Sequence, residues 1–277
     1  MATVTSQPEI GIRLREWRER QRLTQLALAL KAGTSARHLS FVETGRSKPG
    51  REMLLRILKH LEMPLREQNE VLLGAGYAPA FPERSLDDSE LAPVRAALDR
   101  ILTAHEPNPA VVFDRAWNLV AANAVLFSLT EVVDIDPVLL EPPVNVLRVG
   151  LHPRGLAPLI VNLGEWRAQF LGRLERQVAV TGDPELAALL EEVTGYPGSA
   201  SDRHAAAPGR ESTTAEPLKV RAPGGGVLSF VGMFASFDTP FEVTTSELAI
   251  ELLFPADEAT AEALRRLYRR GKPPERM

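Results

Sequence analysis

Cysteine is absent from the 277 residues, and aromatic residues make up only 6% of them. Without cysteine the chain can form neither disulfides nor thiolate metal sites, and its absence fits a reducing compartment. Apolar runs are short as well, since none approaches the roughly 18 residues that span a bilayer. The first residues, MATVTSQPEIGIRLREW, lack the basic-then-apolar order of a secretion signal. We therefore expect a soluble, cytoplasmic protein that does not contact a membrane.

Motifs of catalysis are also missing. The histidines, at positions 38, 60, 105, 152 and 204, are never three or four residues apart, which excludes a helical metal-binding motif. The sequence contains no G-x-S-x-G motif for a nucleophilic serine. Its glycine triplet, Gly224 to Gly226, is not followed by the Lys and Ser/Thr of a phosphate loop. We therefore predict that the chain is not an enzyme and has no metal site and no catalytic residues.

The net charge of −4 conceals two parts of opposite sign. Residues 1–80 contain 13 Lys and Arg against 8 Glu, a formal charge of +5, and the other 197 residues contain 19 basic and 28 acidic residues, a charge of −9. A basic part next to an acidic part suggests that the first meets a polyanion, although an excess this small also arises by chance. The length by itself suggests two domains.

The basic part begins with a pattern of short helices. Ile10, Leu14 and Trp17 recur at helical spacing. A second helix follows the N-cap Thr24, with Leu26, Ala27 and Leu30 predicted as its buried stripe, and it ends at Gly33. Two short helices joined by a tight turn with glycine predict a helix-turn-helix.

The third helix has an unusual outer face. Leu39 and Val42 are predicted to point inward, which leaves a cation, a small hydroxyl, a methyl group and an aromatic ring on the other side. In a helix-turn-helix this helix enters the major groove, where Arg37 suits a guanine and Phe41 a thymine methyl group. The alternative is that Phe41 belongs to the core. Gln25, Arg46 and Lys48 suit phosphate contacts. The predicted contacts to double-stranded operator DNA are Gln25, Ser35, Ala36, Arg37, Ser40, Phe41, Arg46 and Lys48.

Residues 9–77 resemble the five-helix DNA-binding domain of the Cro/lambda-repressor type. The resemblance rests on LTQLALALKAG followed by TSARHLSFVETGRSKPGREML. It implies an all-α, lambda-repressor-like domain in residues 1–77 and an internal polar role for Glu43. A proline-rich and acidic linker is predicted over 78–89.

Residues 90–277 predict an α+β domain. Val111–Phe113 and Asn118–Ala121 read as a hairpin with Asp114 in its turn, and three further strands lie near the end of the chain. Helices between them complete a PAS-like domain with a five-stranded antiparallel sheet. One late strand is apolar on both faces, so both faces need a cover. Helices are predicted on one face, and either further helices or a cavity with an apolar ligand on the other. The candidate ligand-binding residues are Phe113, Trp117, Phe127, Trp166, Phe170, Phe230, Phe234, Arg148, Arg154 and Arg167.

The whole chain resembles the MmyB-like transcriptional regulators of the xenobiotic-response-element family. The matching segments include HEPNPAVVFDRAWNLVAANA, HPRGLAPLIVNLGEW and GDPELAALLEEVTGYPG. The resemblance implies a bacterial regulator with a ligand-binding second domain. A fatty acid suits an apolar cavity in that domain, and the three arginines are the candidate carboxylate partners; the alternative is that each is an ordinary surface or structural arginine. We also expect a homodimer, because paired helices read two-fold operators. The alternative is a DNA-binding adaptor whose PAS-like domain only dimerises or binds a protein partner.

Overall fold

The computed structural model describes residues 7–130, 133–197, 217–222, 225–237 and 241–271. The chain divides into two compact units. The first unit contains residues 1–85 and also residues 239–246, and the second contains residues 86–238 and 247–277. Within the described ranges, no helix has the length and apolarity needed to cross a membrane.

The first unit is a bundle of helices. Its main helices are α1 (Gln7–Arg20), α2 (Gln25–Ala32), α3 (Ala36–Glu43), α4 (Arg51–His60) and α5 (Leu65–Gly74). A single short helix from the late segment, α11 (Val243–Ser246), belongs to the same unit. The predicted five-helix domain is therefore confirmed.

The core of this unit contains the inward residues that the sequence predicted for α1 and α3. Leu14 and Leu39 are fully buried, and Trp17 and Val42 are nearly so. The prediction for α2 was wrong, because Leu26 and Leu30 are 60% and 72% exposed. The buried residues of α2 are instead Leu28, Ala29 and Ala32. Both sets have helical spacing, and the small alanines let α2 pack closely against its neighbours.

The second unit is built around one antiparallel sheet. Its strands are β1 (Ala110–Phe113), β2 (Leu119–Ala122), β3 (Leu218–Arg221), β4 (Val227–Ser236) and β5 (Ala249–Pro255), in the order β2-β1-β5-β4-β3. Its helices are α6 (Ala92–His105), α7 (Ala124–Thr130), α8 (Val146–Leu151), α9 (Leu163–Thr181), α10 (Pro184–Thr194) and α12 (Glu258–Gly271), with 3₁₀ turns at Ser89–Leu91, Pro137–Leu140 and Ala157–Leu159. The predicted five-stranded antiparallel α+β domain is confirmed.

Helices pack on both faces of the sheet. Leu98 and Leu102 of α6 pack against Val112 and Ile250 on one face. Phe170 and Leu174 of α9 lie in the cluster that contains Phe113 on the other face. The first half of β4 is alternately buried, whereas four consecutive residues of its second half, from Val231 to Phe234, are exposed. Part of the sheet therefore remains accessible among the described residues.

Candidate DNA-binding and ligand-binding sites

Side chains fix both ends of the turn between α2 and α3. The Thr24 hydroxyl accepts a hydrogen bond from the backbone N–H of Ala27, so α2 begins where the sequence predicted. Gly33 ends α2 with φ +66°, in the left-handed region that suits glycine. The Ser35 hydroxyl then accepts from the backbone N–H of His38 and starts α3. Ser35 therefore acts as a helix cap, whatever contact it makes with DNA.

The outer face of α3 presents Arg37, Ser40 and Phe41. Arg37 is exposed, and Ser40 and Phe41 are half-buried. The Arg37 guanidinium lies over the Phe41 ring, with its central carbon 5.5 Å from the ring centroid. Phe41 is absent from the buried core of the unit, whereas Ala36 packs against that core. The outer face of α3 therefore exposes a guanidinium that makes a cation–π contact with the Phe41 ring.

A buried ion pair supports α3 from below. Glu43 is 4% exposed and accepts hydrogen bonds from Arg18 at 2.7 and 3.0 Å. The amide of Gln25 also donates to Glu43, at 2.8 Å. Hydrogen bonding to Glu43 raises the pKa of Arg18 against the opposing effect of burial. Glu43 thus has the internal role implied by the resemblance, and Gln25 is oriented by it.

Two predicted phosphate-binding cations follow α3. Arg46 is exposed, and its backbone N–H closes the end of the helix by donating to the carbonyl of Phe41 at 2.8 Å. Lys48 is also exposed, and its ammonium lies 4.9 Å from the ring centroid of Tyr77. Both cations therefore lie on the surface of the first unit, beyond the C-terminal end of α3.

Gly11 of α1 brings the end of α3 unusually close. A Cβ atom at this position would lie 2.5 Å from the carbonyl oxygen of Glu43 and 2.6 Å from that of Val42. Real side chains do not tolerate such distances, and backbone atoms cannot move aside as a side chain can. Glycine is therefore required where α1 supports the C-terminal end of α3.

The second unit contains a connected group of aromatic rings, which we call the aromatic cluster. It is formed by five of the predicted ligand-binding residues. Phe113 stacks on Trp117 at 4.8 Å, and Trp166 packs on Phe170 at 4.5 Å. Trp117 contacts Phe170 edge-on at 5.7 Å. Phe234 meets Phe113 and Phe170 at 6.2 and 6.1 Å.

Trp117 occupies a strained position in this cluster. Its backbone has φ +66°, which is uncommon for a residue other than glycine. The Asp114 carboxylate holds the turn by accepting from the backbone N–H groups of Ala116 and Asn118, each at 2.8 Å. The Trp117 indole donates to Gln177 of α9 at 3.0 Å. The hairpin turn therefore aims this indole at α9.

The other two predicted aromatic contacts lie elsewhere. Phe230 is buried with Leu228, Val125 and Leu264 in a separate core cluster. Phe127 on α7 is 48% exposed and lies outside the aromatic cluster. The structure thus brings together five of the seven predicted aromatic residues.

The three predicted cations all have partners within the protein. Arg148 forms a forked ion pair with Glu192, with a shortest distance of 2.7 Å, and this contact lowers the pKa of the Glu192 carboxyl. Arg154 pairs with Asp136. Arg167 donates to the carbonyls of residues 193 and 194 at the end of α10, at 2.9 and 2.7 Å. None of these contacts places a guanidinium against the aromatic cluster.

The cation beside the cluster is Arg173, which the sequence reading missed. Its guanidinium carbon lies 3.8 Å from the centroid of Phe234 and 5.6 Å from that of Trp117. Burial lowers its pKa, while the charge of Glu251 raises it. A signal was present, because Arg173 follows Trp166 and Phe170 at positions i+7 and i+3 on the same face of α9. Glu251 was equally visible as the one charged residue in an apolar strand.

Models of two known protein families match the two parts of the chain. A helix-turn-helix family model matches residues 14–68. The model of the MmyB-like transcription regulator ligand binding domain matches residues 94–267. No curated protein matches the chain. Among the described residues, no group of His, Asp and Glu side chains is arranged to hold a metal ion.

Some solved structures also show similarity. Two crystal structures of the clp gene regulator ClgR from Corynebacterium glutamicum are 25% and 24% identical, over 27% and 36% of this chain and 92% and 94% of theirs, each with a TM-score of 0.23. An RNA-binding light-oxygen-voltage receptor is 13% identical over 94% of this chain and 61% of its own, with a TM-score of 0.24. With both family models matched, the chain belongs to the MmyB-like transcription regulators, which are DNA-binding proteins of the helix-turn-helix class and not enzymes.

Proposed function

We propose that the chain represses or activates genes by reading an operator with the outer face of α3, under the control of a small apolar ligand bound at the aromatic cluster. Arg37 supports the first half of this proposal. Its guanidinium is exposed, carries no ion pair among the described residues and is held against Phe41. A guanidinium in this position is suited to bidentate hydrogen bonds with a guanine.

Phosphate contacts would fix the orientation of the helix on DNA. Arg46 and Lys48 are exposed cations next to α3, and Gln25 lies at the N-terminus of α2. Such contacts bind all sequences alike and carry no base preference. One helix reads only a few base pairs, so we propose that the chain binds a two-fold operator as a homodimer.

The observation that supports ligand binding is the aromatic cluster itself. Phe234 is 37% exposed although it contacts Phe113 and Phe170, so part of the cluster is accessible. Apolar pockets with a few polar groups are the usual form of small-molecule sites. The guanidinium of Arg173 against Phe234 adds a polar group that suits an acid. A fatty acid combines both features, and we propose this class of ligand.

The second candidate function is an adaptor whose C-terminal domain binds only another protein chain. The exposed apolar residues Val231 and Met233 of β4 favour it, because they offer a surface to a partner. Native mass spectrometry of the purified full chain distinguishes the two functions and also gives the oligomeric state. A co-purifying lipid-sized molecule supports sensing. A protein that is free of ligand, and whose affinity for a selected operator does not respond to added decanoic acid, contradicts sensing.

A further inference from the structure

Arg173 and Glu251 both lie next to Phe234 of the aromatic cluster and form no ion pair with each other. Glu251 lies on β5, directly opposite Phe234 on β4, and Arg173 of α9 covers that same phenyl ring. The charge of each group acts on the other, yet no hydrogen bond or salt bridge joins them or ties either one to another described residue. A cation and a carboxyl are therefore unpaired at one apolar site.

A glycine on β4 lets the Glu251 carboxyl lie close to the backbone of that strand. The neighbouring position on β4 is Gly232, where a Cβ atom would lie 3.3 Å from a carboxyl oxygen of Glu251. Both Arg173 and Glu251 are half-buried. Neither side chain has a polar atom that is both buried and without a hydrogen-bond partner. Their polar atoms are therefore accessible to solvent, and a ligand head group can reach them from there.

Unpaired charged groups in apolar surroundings are costly, so a group that satisfies both of them would bind favourably. The guanidinium needs an acceptor, and the Glu251 carboxyl needs a partner with which it can share a proton. A second carboxyl group meets both needs. One guanidinium, two carboxyl groups and one shared proton form a neutral set, which suits an apolar site.

On the basis of the function proposed above, we propose that the ligand is a carboxylic acid whose head group is held between Arg173 and Glu251 and shares one proton with Glu251. The hydrocarbon part of the ligand lies against the aromatic cluster. Arg173 supplies the charge-assisted hydrogen bonds, and Glu251 makes the site selective for a head group that can share a proton. An alcohol or an ester of equal chain length lacks one of these contacts.

Burial raises the pKa of Glu251 to about 7, and the charge of Arg173 opposes that shift. The neighbouring strands β1 and β4 carry no ionisable side chain. On α9 the next cation is Arg176, whose charge acts on Arg173. Helix α12, on the same side of the sheet, carries the surface pairs Arg265–Glu258 and Arg266–Glu262 and the exposed Arg269. Glu251 is therefore the group that changes charge near neutral pH at this site.

This arrangement couples ligand binding to the protonation of Glu251. Below pH 7 Glu251 already carries the shared proton when an ionised acid binds. Above pH 7 the complex must take up a proton, and the affinity falls about tenfold for each pH unit. Glu251→Gln supplies a permanent amide donor, so its affinity for the acid should not change over this range.

The experiment titrates decanoic acid, decan-1-ol and methyl decanoate into the full chain at pH 6.5 and 8.5. Trp117 and Trp166 lie in the cluster, so their fluorescence reports binding. We expect the acid to bind at least about tenfold more tightly than the alcohol at pH 6.5, as a charge-assisted hydrogen bond would provide. Arg173→Gln should remove this preference and Arg173→Lys should reduce it. Arg176→Gln, one turn along the same helix, should retain it.

The outcomes separate this inference from the function on which it rests. Equal binding of acid and alcohol by the unaltered protein overturns the carboxyl site and leaves an apolar sensor. An acid preference that survives Arg173→Gln, or an affinity for the acid that is equal at pH 6.5 and 8.5, also overturns it. If none of the three probes binds and no ligand co-purifies, the sensing function itself is wrong.

Discussion

Glu242 accepts a hydrogen bond from the backbone N–H of Arg84 at 2.8 Å, although 158 positions separate the two residues. The second oxygen of the carboxylate accepts from the backbone N–H and the hydroxyl of Thr245, at 2.8 and 2.9 Å. The next residue, Val243, is fully buried and donates its N–H to the carbonyl of Pro82. A segment that follows β4 in sequence is thereby built into the DNA-binding unit.

Glu242→Gln should destabilise the first unit by about 1–3 kcal/mol at pH 7, because an amide cannot accept at both of its ends. Burial alone would raise the pKa of Glu242, but the hydrogen bonds from Thr245 and Arg84 outweigh it and lower the pKa. Its stabilising effect is therefore complete above the ordinary pKa of glutamate and is lost as the pH falls. Urea unfolding at pH 7 and pH 3.5 should show a difference from the unaltered protein that shrinks in acid.

The exposed residue Glu52 on α4 provides the control, since Glu52→Gln removes an equal charge without removing such contacts. A difference at Glu242 that stays constant between the two pH values would contradict a role for the ionised carboxylate.

Gly11→Ala should weaken both the stability of the first unit and its binding to DNA. The added methyl group would meet the carbonyl oxygens of Val42 and Glu43 at 2.6 and 2.5 Å, so α3 must move away from α1. Overpacking of this kind costs about 1–3 kcal/mol. Thermal unfolding and operator affinity measure the two effects. Gly50→Ser is the matched control, because a Cβ at position 50 meets nothing within 4 Å and serine is a good N-cap. Equal stability of the two variants would contradict the close approach.

Arg37→Ala should lower specificity at one base pair by about 1–3 kcal/mol. Arg37→Lys should also lose most of it, because an ammonium cannot make the paired hydrogen bonds of a guanidinium. Arg46→Ala should instead weaken operator and random DNA alike and reduce the salt dependence. Binding to a selected operator and to scrambled DNA checks all three variants. Unchanged discrimination by Arg37→Ala would remove the base-reading role.

The DNA-binding unit was predictable in detail because its signals are local. Thr24, Ser35 and Gly33 determine where helices begin and end through contacts with residues at most a few positions away. The buried side of α2 was not predictable, since two stripes of apolar residues have equally good helical spacing. Which stripe is buried depends on how close the neighbouring helices approach, and that is a tertiary property.

In the second unit, only the strands and helices were predictable from the sequence. The hairpin at Asp114 and the sheet agree with the sequence pattern, apart from a shift of one residue at β2. The partners of Arg148, Arg154 and Arg167 are distant in sequence, from 18 to 44 positions for the ion pairs, so no local pattern shows them. The packing of residues 241–246 with the first unit depends on chain topology and had no sequence signal.

Glu251→Gln should change how the stability of the protein depends on pH, independently of any ligand. In the folded state burial raises the pKa of Glu251 to about 7, whereas in the unfolded chain the carboxyl has its ordinary value near 4.5. The protonated form is therefore favoured by folding. The unaltered protein should lose at most about 3 kcal/mol of unfolding free energy as the pH rises from about 4.5 to 7. The amide variant lacks this loss, so it should match the unaltered protein at pH 4.5 and exceed it at pH 8.

Urea unfolding of the unaltered protein and of Glu251→Gln at pH 4.5 and pH 8 measures this difference in unfolding free energy. Glu175→Gln is the matched control, because Glu175 is exposed on α9 and its removal leaves the contribution of Glu251 in place. If Glu251→Gln were no more stable than the unaltered protein at pH 8, the carboxyl would not be held in an apolar environment. Water would then solvate the charges of Arg173 and Glu251, and an acid ligand would bind there little more tightly than an alcohol.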